Sequence, residues 1–151
     1  MKDNHTTPAH FELFKKECRK WIELFGLDEW KIYFLHLSPP DSKRLAGCNY
    51  EGLTFVATFV LNKNWRHDKP NNNWVKMVAH HEVVHLLIAQ LNCLATSRYV
   101  TEDEVENAVE RLVHKIEAIT DKLDVKPLAR FYRAKTKTKR ISKKEWIEVP
   151  L

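Results

Sequence analysis

The chain has 151 residues, of which 44% are hydrophobic and 11% aromatic, so it has enough apolar surface for one folded domain and is not disordered over most of its length. Its three glycines argue against a glycine-rich phosphate loop, and no apolar run reaches the roughly 18–20 residues that span a bilayer. The net charge of +5 is unevenly distributed along the chain. The segment Lys126–Pro150 has nine basic and two acidic side chains, or +7, so the rest of the chain is about −2.

The first third of the chain predicts a helix followed by strands. Apolar residues recur at helical spacing over Ala9–Phe25, after a Thr-Thr-Pro entrance and before a glycine. Residues Trp30–Leu37 alternate as a strand does. The stretches Arg44–Gly52 and Leu53–Asn62 also favour strands, with the turn at the end of the first. A polar, asparagine-rich loop follows.

The second half predicts two long helices. Asn73 is the expected cap of a helix to about Leu94, and a capping box at Thr101 opens another to about Leu123. This order indicates an α+β fold with a small three-stranded twisted sheet. The predicted organisation is one domain over residues 1–125 and a basic tail over residues 126–151.

The most informative motif is His81-Glu82-Val83-Val84-His85, in the middle of the first long helix. Residues four apart lie about 40° apart around a helix, so the two imidazoles point the same way and can bind one zinc ion. Glu82 lies about 100° around the helix axis from His81, where it can reach a water molecule on the bound ion and act as a general base. The alternative is that these three side chains form a polar strip on a buried helix. Burying them costs folding free energy unless they have hydrogen-bond partners.

A catalytic zinc ion takes three protein ligands and keeps one position open. The longer HExxHxxGxxH pattern is excluded, because Ile88 and Leu91 stand where glycine and histidine are needed. The third ligand must therefore come from elsewhere. The following helix offers several donors: Glu102, Asp103, Glu104, Glu106, Glu110, His114 and Glu117.

The HExxH motif followed by an acid in "ENAVERLVHKI" resembles the gluzincins, and most of all their small stand-alone members from phages and mobile elements. The resemblance implies a zincin-like metallopeptidase domain with an active-site helix and a glutamate helix. It implies that Glu110 is the third zinc ligand, because it opens the family's pattern on the second helix. Glu106, one turn earlier, is the alternative. His114 stands where larger members often have an acid.

The resemblance also implies that an extended peptide pairs with an edge strand of the sheet. The strand Leu53–Asn62 is the candidate, with Ala57, Thr58 and Phe59 as substrate-binding residues; an ordinary core strand is the equal alternative. An oxyanion donor is expected from Tyr99, His114 or Tyr132.

The predicted function is zinc-dependent peptide-bond hydrolysis by a cytoplasmic enzyme, with a protein or peptide as substrate and no membrane partner. Three cysteines far apart in the sequence favour reduced thiols. The alternative is a catalytically restricted zinc-binding regulatory module whose basic tail binds nucleic acid. The tail combines lysines and arginines with Phe131, Tyr132 and Trp146, although a solvated basic tail has the same composition.

Overall fold

The computed structural model describes residues 4–38, 44–52, 54–66 and 68–123. These residues form an α+β fold with four helices and a three-stranded mixed sheet, which confirms the predicted class. The basic tail, Tyr132 and Leu53 lie outside the described residues. The elements in chain order are α1 (Pro8–Leu24), β1 (Lys31–Leu37), β2 (Ala46–Glu51), β3 (Val56–Asn62), α2 (Asn72–Leu87), α3 (Ala89–Thr96) and α4 (Glu102–Lys122).

The helix ends follow local chemistry. At the start of α1, the Thr7 hydroxyl accepts the His10 N–H while the His10 ring accepts the Thr7 N–H, and Pro8 fills the first turn. Asn71 caps α2 by accepting the Trp74 N–H, so the prediction of Asn73 as the cap is wrong by two residues. A run of three asparagines gives three equivalent capping side chains, and the sequence does not distinguish them.

The long helix predicted to reach Leu94 is divided in two. Its first part, α2, ends at Leu87, and the backbone of the next residue, Ile88, leaves the helical region before α3 begins at Ala89. No glycine or proline marks this break, and apolar residues continue through it. The prediction of one continuous helix is therefore wrong, because apolar periodicity does not report a local change in backbone direction.

The sheet has the strand order β1-β3-β2. Strand β3 pairs parallel with β1 and antiparallel with β2. It is therefore the central strand, and Ala57, Phe59 and Leu61 are fully buried on its inner face. Of the two alternatives predicted for Leu53–Asn62, the edge strand is wrong, because both edges of β3 are hydrogen-bonded, and the ordinary core strand is the one observed. Strand β2 is the edge strand that contacts α2.

Helices α1 and α2 pack together and, with the inner face of the sheet, enclose the core. Trp65 and Phe14 are the largest fully buried side chains. Helix α4 contributes little to this core: Ala108 is its one buried residue among those described. Most of the stabilisation from apolar burial therefore comes from the packing of α1 and α2 on the inner face of the sheet. This packing fixes the position of α2.

Gly52, at the end of β2, fixes a close approach between the sheet and α3. A Cβ atom added there would lie 2.7 Å from the Cys93 sulfur and 3.2 Å from its Cβ. We expect Gly52→Ala to destabilise the fold by about 1–3 kcal/mol, because packed atoms must move to admit a methyl group. Gly47→Ala is the matched control on the same strand, since a Cβ there would meet nothing within 4 Å. Urea denaturation of both variants measures the difference, and equal stabilities would contradict the expectation.

The chain divides into two compact units, Met1–Ile119 and Thr120–Leu151. The sheet, the core and α1–α3 belong to the first unit. Of the second unit, only residues 120–123 are described. In the described part of the chain, no helix is both long enough and apolar enough to cross a bilayer.

Candidate functional site

The two histidines of the motif lie side by side on α2, as their spacing predicts. Their Nε2 atoms are 3.1 Å apart, and their rings meet edge to face at 84°. Two ligands at about 2.0–2.1 Å from one ion in a tetrahedral arrangement are about 3.3–3.4 Å apart. The observed separation is close to that value. Both side chains are exposed, so an ion can approach them from solvent.

Glu82 points into the protein and is 8% exposed, unlike the histidines on either side of it. Burial raises the pKa of its carboxyl group, while the neighbouring histidines and the backbone N–H of Cys48 act in the opposite sense. A carboxylate with a raised pKa takes up a proton more readily than an exposed one does. Glu82 therefore has the environment of a general base.

A cavity of about 570 Å³ connects Glu82 with the histidines. Strand β2 forms its opposite wall through the residues Ala46, Gly47, Cys48 and Tyr50, preceded by Arg44 and Leu45. Burial raises the pKa of the Cys48 thiol to about 12, so without a bound ion this sulfur is a neutral thiol at neutral pH. The cavity therefore combines two imidazoles, one carboxylate and an exposed strand edge.

The structure does not bring the predicted third ligand to this pair. Glu110 and Glu106 are both exposed on α4. Across the described ranges, with their gaps at 39–43, 53 and 67, no group of three or more histidines, cysteines or acids could hold a metal ion. His81 and His85 thus fit two corners of a zinc site. The third ligand stays a prediction.

The residues predicted to bind substrate lie elsewhere in the sheet. Ala57 and Phe59 are fully buried, and Thr58 lies on the same central strand. Because β3 has no open edge, these residues cannot pair with a peptide by strand addition. The open edge beside the histidines belongs to β2, which the sequence analysis did not assign to the site.

Two of the predicted oxyanion donors, Tyr99 and His114, do not line the cavity, and the third, Tyr132, lies outside the described residues. Tyr99 is 88% exposed, and His114 pairs with Glu117 at 3.2 Å on the surface of α4. The cavity instead contains Tyr50 and Arg44, which were not predicted. The Tyr50 hydroxyl accepts a hydrogen bond of 2.8 Å from Asn92, which leaves its own O–H able to donate. Nothing in the sequence pattern of β2 indicates a donor to the oxyanion.

Comparison with known proteins identifies no relative: no family model, no curated protein and no solved structure matches the chain.

Proposed function

We propose that the protein is a zinc-dependent metallopeptidase of gluzincin type. The observation that carries the proposal is the pair of imidazole nitrogens 3.1 Å apart beside a buried carboxylate on one helix. His81 and His85 would hold the ion. By resemblance, Glu110 is the third ligand and Glu106 is the alternative. Zinc, when bound, supplies a Lewis acid that makes water more acidic and polarises a carbonyl group.

In the proposed reaction, Glu82 takes a proton from the attacking water molecule and passes it to the nitrogen of the leaving amine. Its burial supports this role, because a desolvated carboxylate holds a proton more tightly than one in water. Its position next to both histidines keeps it within reach of a water molecule in the cavity. The side chain thus acts as a base in the first step and as an acid in the second.

The substrate in this proposal is an extended peptide that lies along the edge of β2. That strand forms the wall of the cavity facing Glu82, and one of its edges has no strand partner among the described residues. Main-chain hydrogen bonds to a strand edge position a peptide without requiring a particular sequence. The scissile bond would then lie between β2 and α2.

Tyr50 and Arg44 are the donors that we assign to the developing oxyanion. Both line the cavity on the side opposite the histidines. A donor aimed at the charge that develops in the transition state contributes more than one that binds the ground state equally well. We expect Tyr50→Phe to lower kcat by about 10–1000-fold with little change in KM. Steady-state kinetics on a cleaved peptide measures this split, and an unchanged kcat would remove Tyr50 from the proposal.

The function is tested by incubating the zinc-loaded full chain with a peptide mixture and identifying products by mass spectrometry. We expect cleavage that stops with a chelator and returns with added zinc. The matched control is the same protein stripped of metal. No cleavage of any peptide by a protein that binds one zinc ion would instead favour the regulatory module. That alternative predicts salt-dependent nucleic-acid binding, lost on deletion of residues 126–151.

A further inference from the structure

Strand β1 is the second edge strand of the sheet, at the opposite edge from β2. The Lys31 N–H donates to the Phe55 carbonyl at 2.7 Å. At the other end of the strand, the Lys63 N–H donates to the Leu37 carbonyl at 2.7 Å. The N–H and C=O of one strand residue point to the same side, and that side alternates along the strand. The odd-numbered residues of β1 therefore bond β3, and the even-numbered residues turn their backbone groups to the open edge.

Three residues of β1 present backbone groups to this edge, and no backbone partner for these groups occurs in the described ranges: Ile32, Phe34 and His36. Many edge strands are protected from further pairing by a proline, a bulge or a charged side chain. Strand β1 contains no proline, pairs with β3 without a bulge, and has its lysine at its first position. Its backbone is therefore able to accept a further strand.

The inner side of this edge has a cation without a counterion. Phe34 points to the inner face, where its ring stacks on that of Phe59 at 5.7 Å. The exposed Arg19 guanidinium of α1 lies 5.2 Å from the centre of the Phe34 ring. Lys15, one turn earlier, pairs with Glu12 at 2.6 Å, whereas Arg19 forms no ion pair with any described residue. Charge at this position thus favours an acidic partner.

The outer side of the strand is apolar. Tyr33, Leu35 and Leu37 are 46%, 41% and 45% exposed there. Directly opposed residues of neighbouring strands point to the same face, and the face alternates along each strand. A strand added to β1 would therefore place every second side chain beside these apolar residues and the others beside Arg19. The chemistry that fits both faces is an alternation of apolar and acidic side chains.

We propose that the open edge of β1 binds an extended segment of another protein in which acidic and apolar side chains alternate. Backbone hydrogen bonds to Ile32, Phe34 and His36 hold the segment as a further strand of the sheet. Its carboxylates pair with Arg19, and its apolar side chains cover Tyr33 and the leucines of the outer face. This surface is separate from the cavity beside the histidines, which no residue of β1 lines. The inference therefore does not depend on the proposed function.

A second copy of the chain fits the same edge less well. Strand β1 contains no acidic residue, so a second β1 has no counterion for Arg19. In the antiparallel two-fold register that uses all the open backbone groups, Phe34 is opposed by Phe34 of the second copy. The guanidinium groups over these two rings then lie on the same face of neighbouring strands. Like charges in such positions are destabilising, so charge distinguishes the two occupants.

The experiment measures amide hydrogen exchange by NMR in the full chain without added metal. The probe is a short synthetic peptide of alternating valine and glutamate. We expect it to slow the exchange of the Phe34 and His36 amides several-fold. The Tyr33 and Leu35 amides already bond β3 and should change little. A peptide of alternating valine and lysine is the matched probe and should give no protection.

A charge reversal tests the role of Arg19. In Arg19→Glu, the affinity for the glutamate peptide should fall by about 10-fold or more, because a charge-assisted hydrogen bond is replaced by repulsion. The same variant should gain affinity for the lysine peptide. Arg98→Glu is the matched control, since Arg98 is exposed in the connector between α3 and α4 and the change in net charge is the same. It should bind the glutamate peptide as the parent does.

Four results would overturn the inference. Absence of protection by both peptides would remove the surface, and equal protection by both would show that charge does not select the partner. Protection confined to the amides of β2 would place the peptide at the other edge of the sheet. Slow exchange of Phe34 and His36 that depends on protein concentration, with no peptide present, would identify a second copy as the occupant.

Discussion

Replacing Glu82 by glutamine is expected to lower peptide hydrolysis by about 10²–10⁴-fold while zinc binding remains unchanged. Glutamine keeps the shape of the side chain but cannot accept a proton from water at neutral pH. The zinc ligands in the proposal are the neighbouring histidines, whose rings point to solvent while Glu82 points inward. The loss should appear in kcat, because the base acts in the transition state.

The stability of Glu82→Gln gives this prediction a second readout. Burial disfavours the charged carboxylate, so a neutral amide in the same place should leave the melting temperature equal or higher. Glu23→Gln is the matched control, since Glu23 is exposed on α1 and far along the chain from the motif. Activity in the Glu82 variant equal to that of the parent, at the same zinc content, would end the assignment of Glu82 as the base.

The part of the site that was predicted from the sequence depends on local geometry. Residues four apart on any α-helix face the same way, so the meeting of His81 and His85 follows once a helix is predicted there. The burial of Glu82 was not predicted, but it agrees with the same geometry, because its position falls nearer the apolar side that includes Val78 and Leu86. These relations need no knowledge of the rest of the fold.

The parts that failed depend on how elements are arranged in space. The short turn between β2 and β3 predicts their hairpin, but nothing local indicates which edge of that hairpin β1 joins. In this fold β1 pairs with β3, which leaves β2 at the edge beside α2. The substrate prediction for Ala57, Thr58 and Phe59 assumed an edge strand, which this topology excludes, and the alternative of an ordinary core strand is the one observed.

The third ligand shows the same limit. Helix α4 has an apolar arc wider than the side that is buried, so periodicity alone does not determine which side packs. In the described arrangement that side includes Ala108, and both glutamates face solvent. A different rotation of the same helix would change which acids approach α2. The family pattern can therefore nominate Glu110, but the sequence cannot locate it in space.

Removing both histidines is expected to abolish zinc binding and the stabilisation that zinc provides. For the parent, zinc at 100 times its dissociation constant should stabilise the fold by about 2.7 kcal/mol. At about 2–4 °C per kcal/mol for a chain of this size, the melting temperature should rise by about 5–10 °C. The double variant His81→Ala/His85→Ala should show no rise and no bound metal by elemental analysis.

The metal-free melting temperature makes this test specific. Both rings are exposed, so the double variant without zinc should melt within a few degrees of the metal-free parent. His114→Ala is the matched control, because it removes another exposed histidine and should keep the full zinc-dependent rise. A zinc-dependent rise that persists in the double variant would place the metal on other residues. The pair on α2 would then be a hydrogen-bonded surface feature, and the proposed peptidase would lose its metal centre.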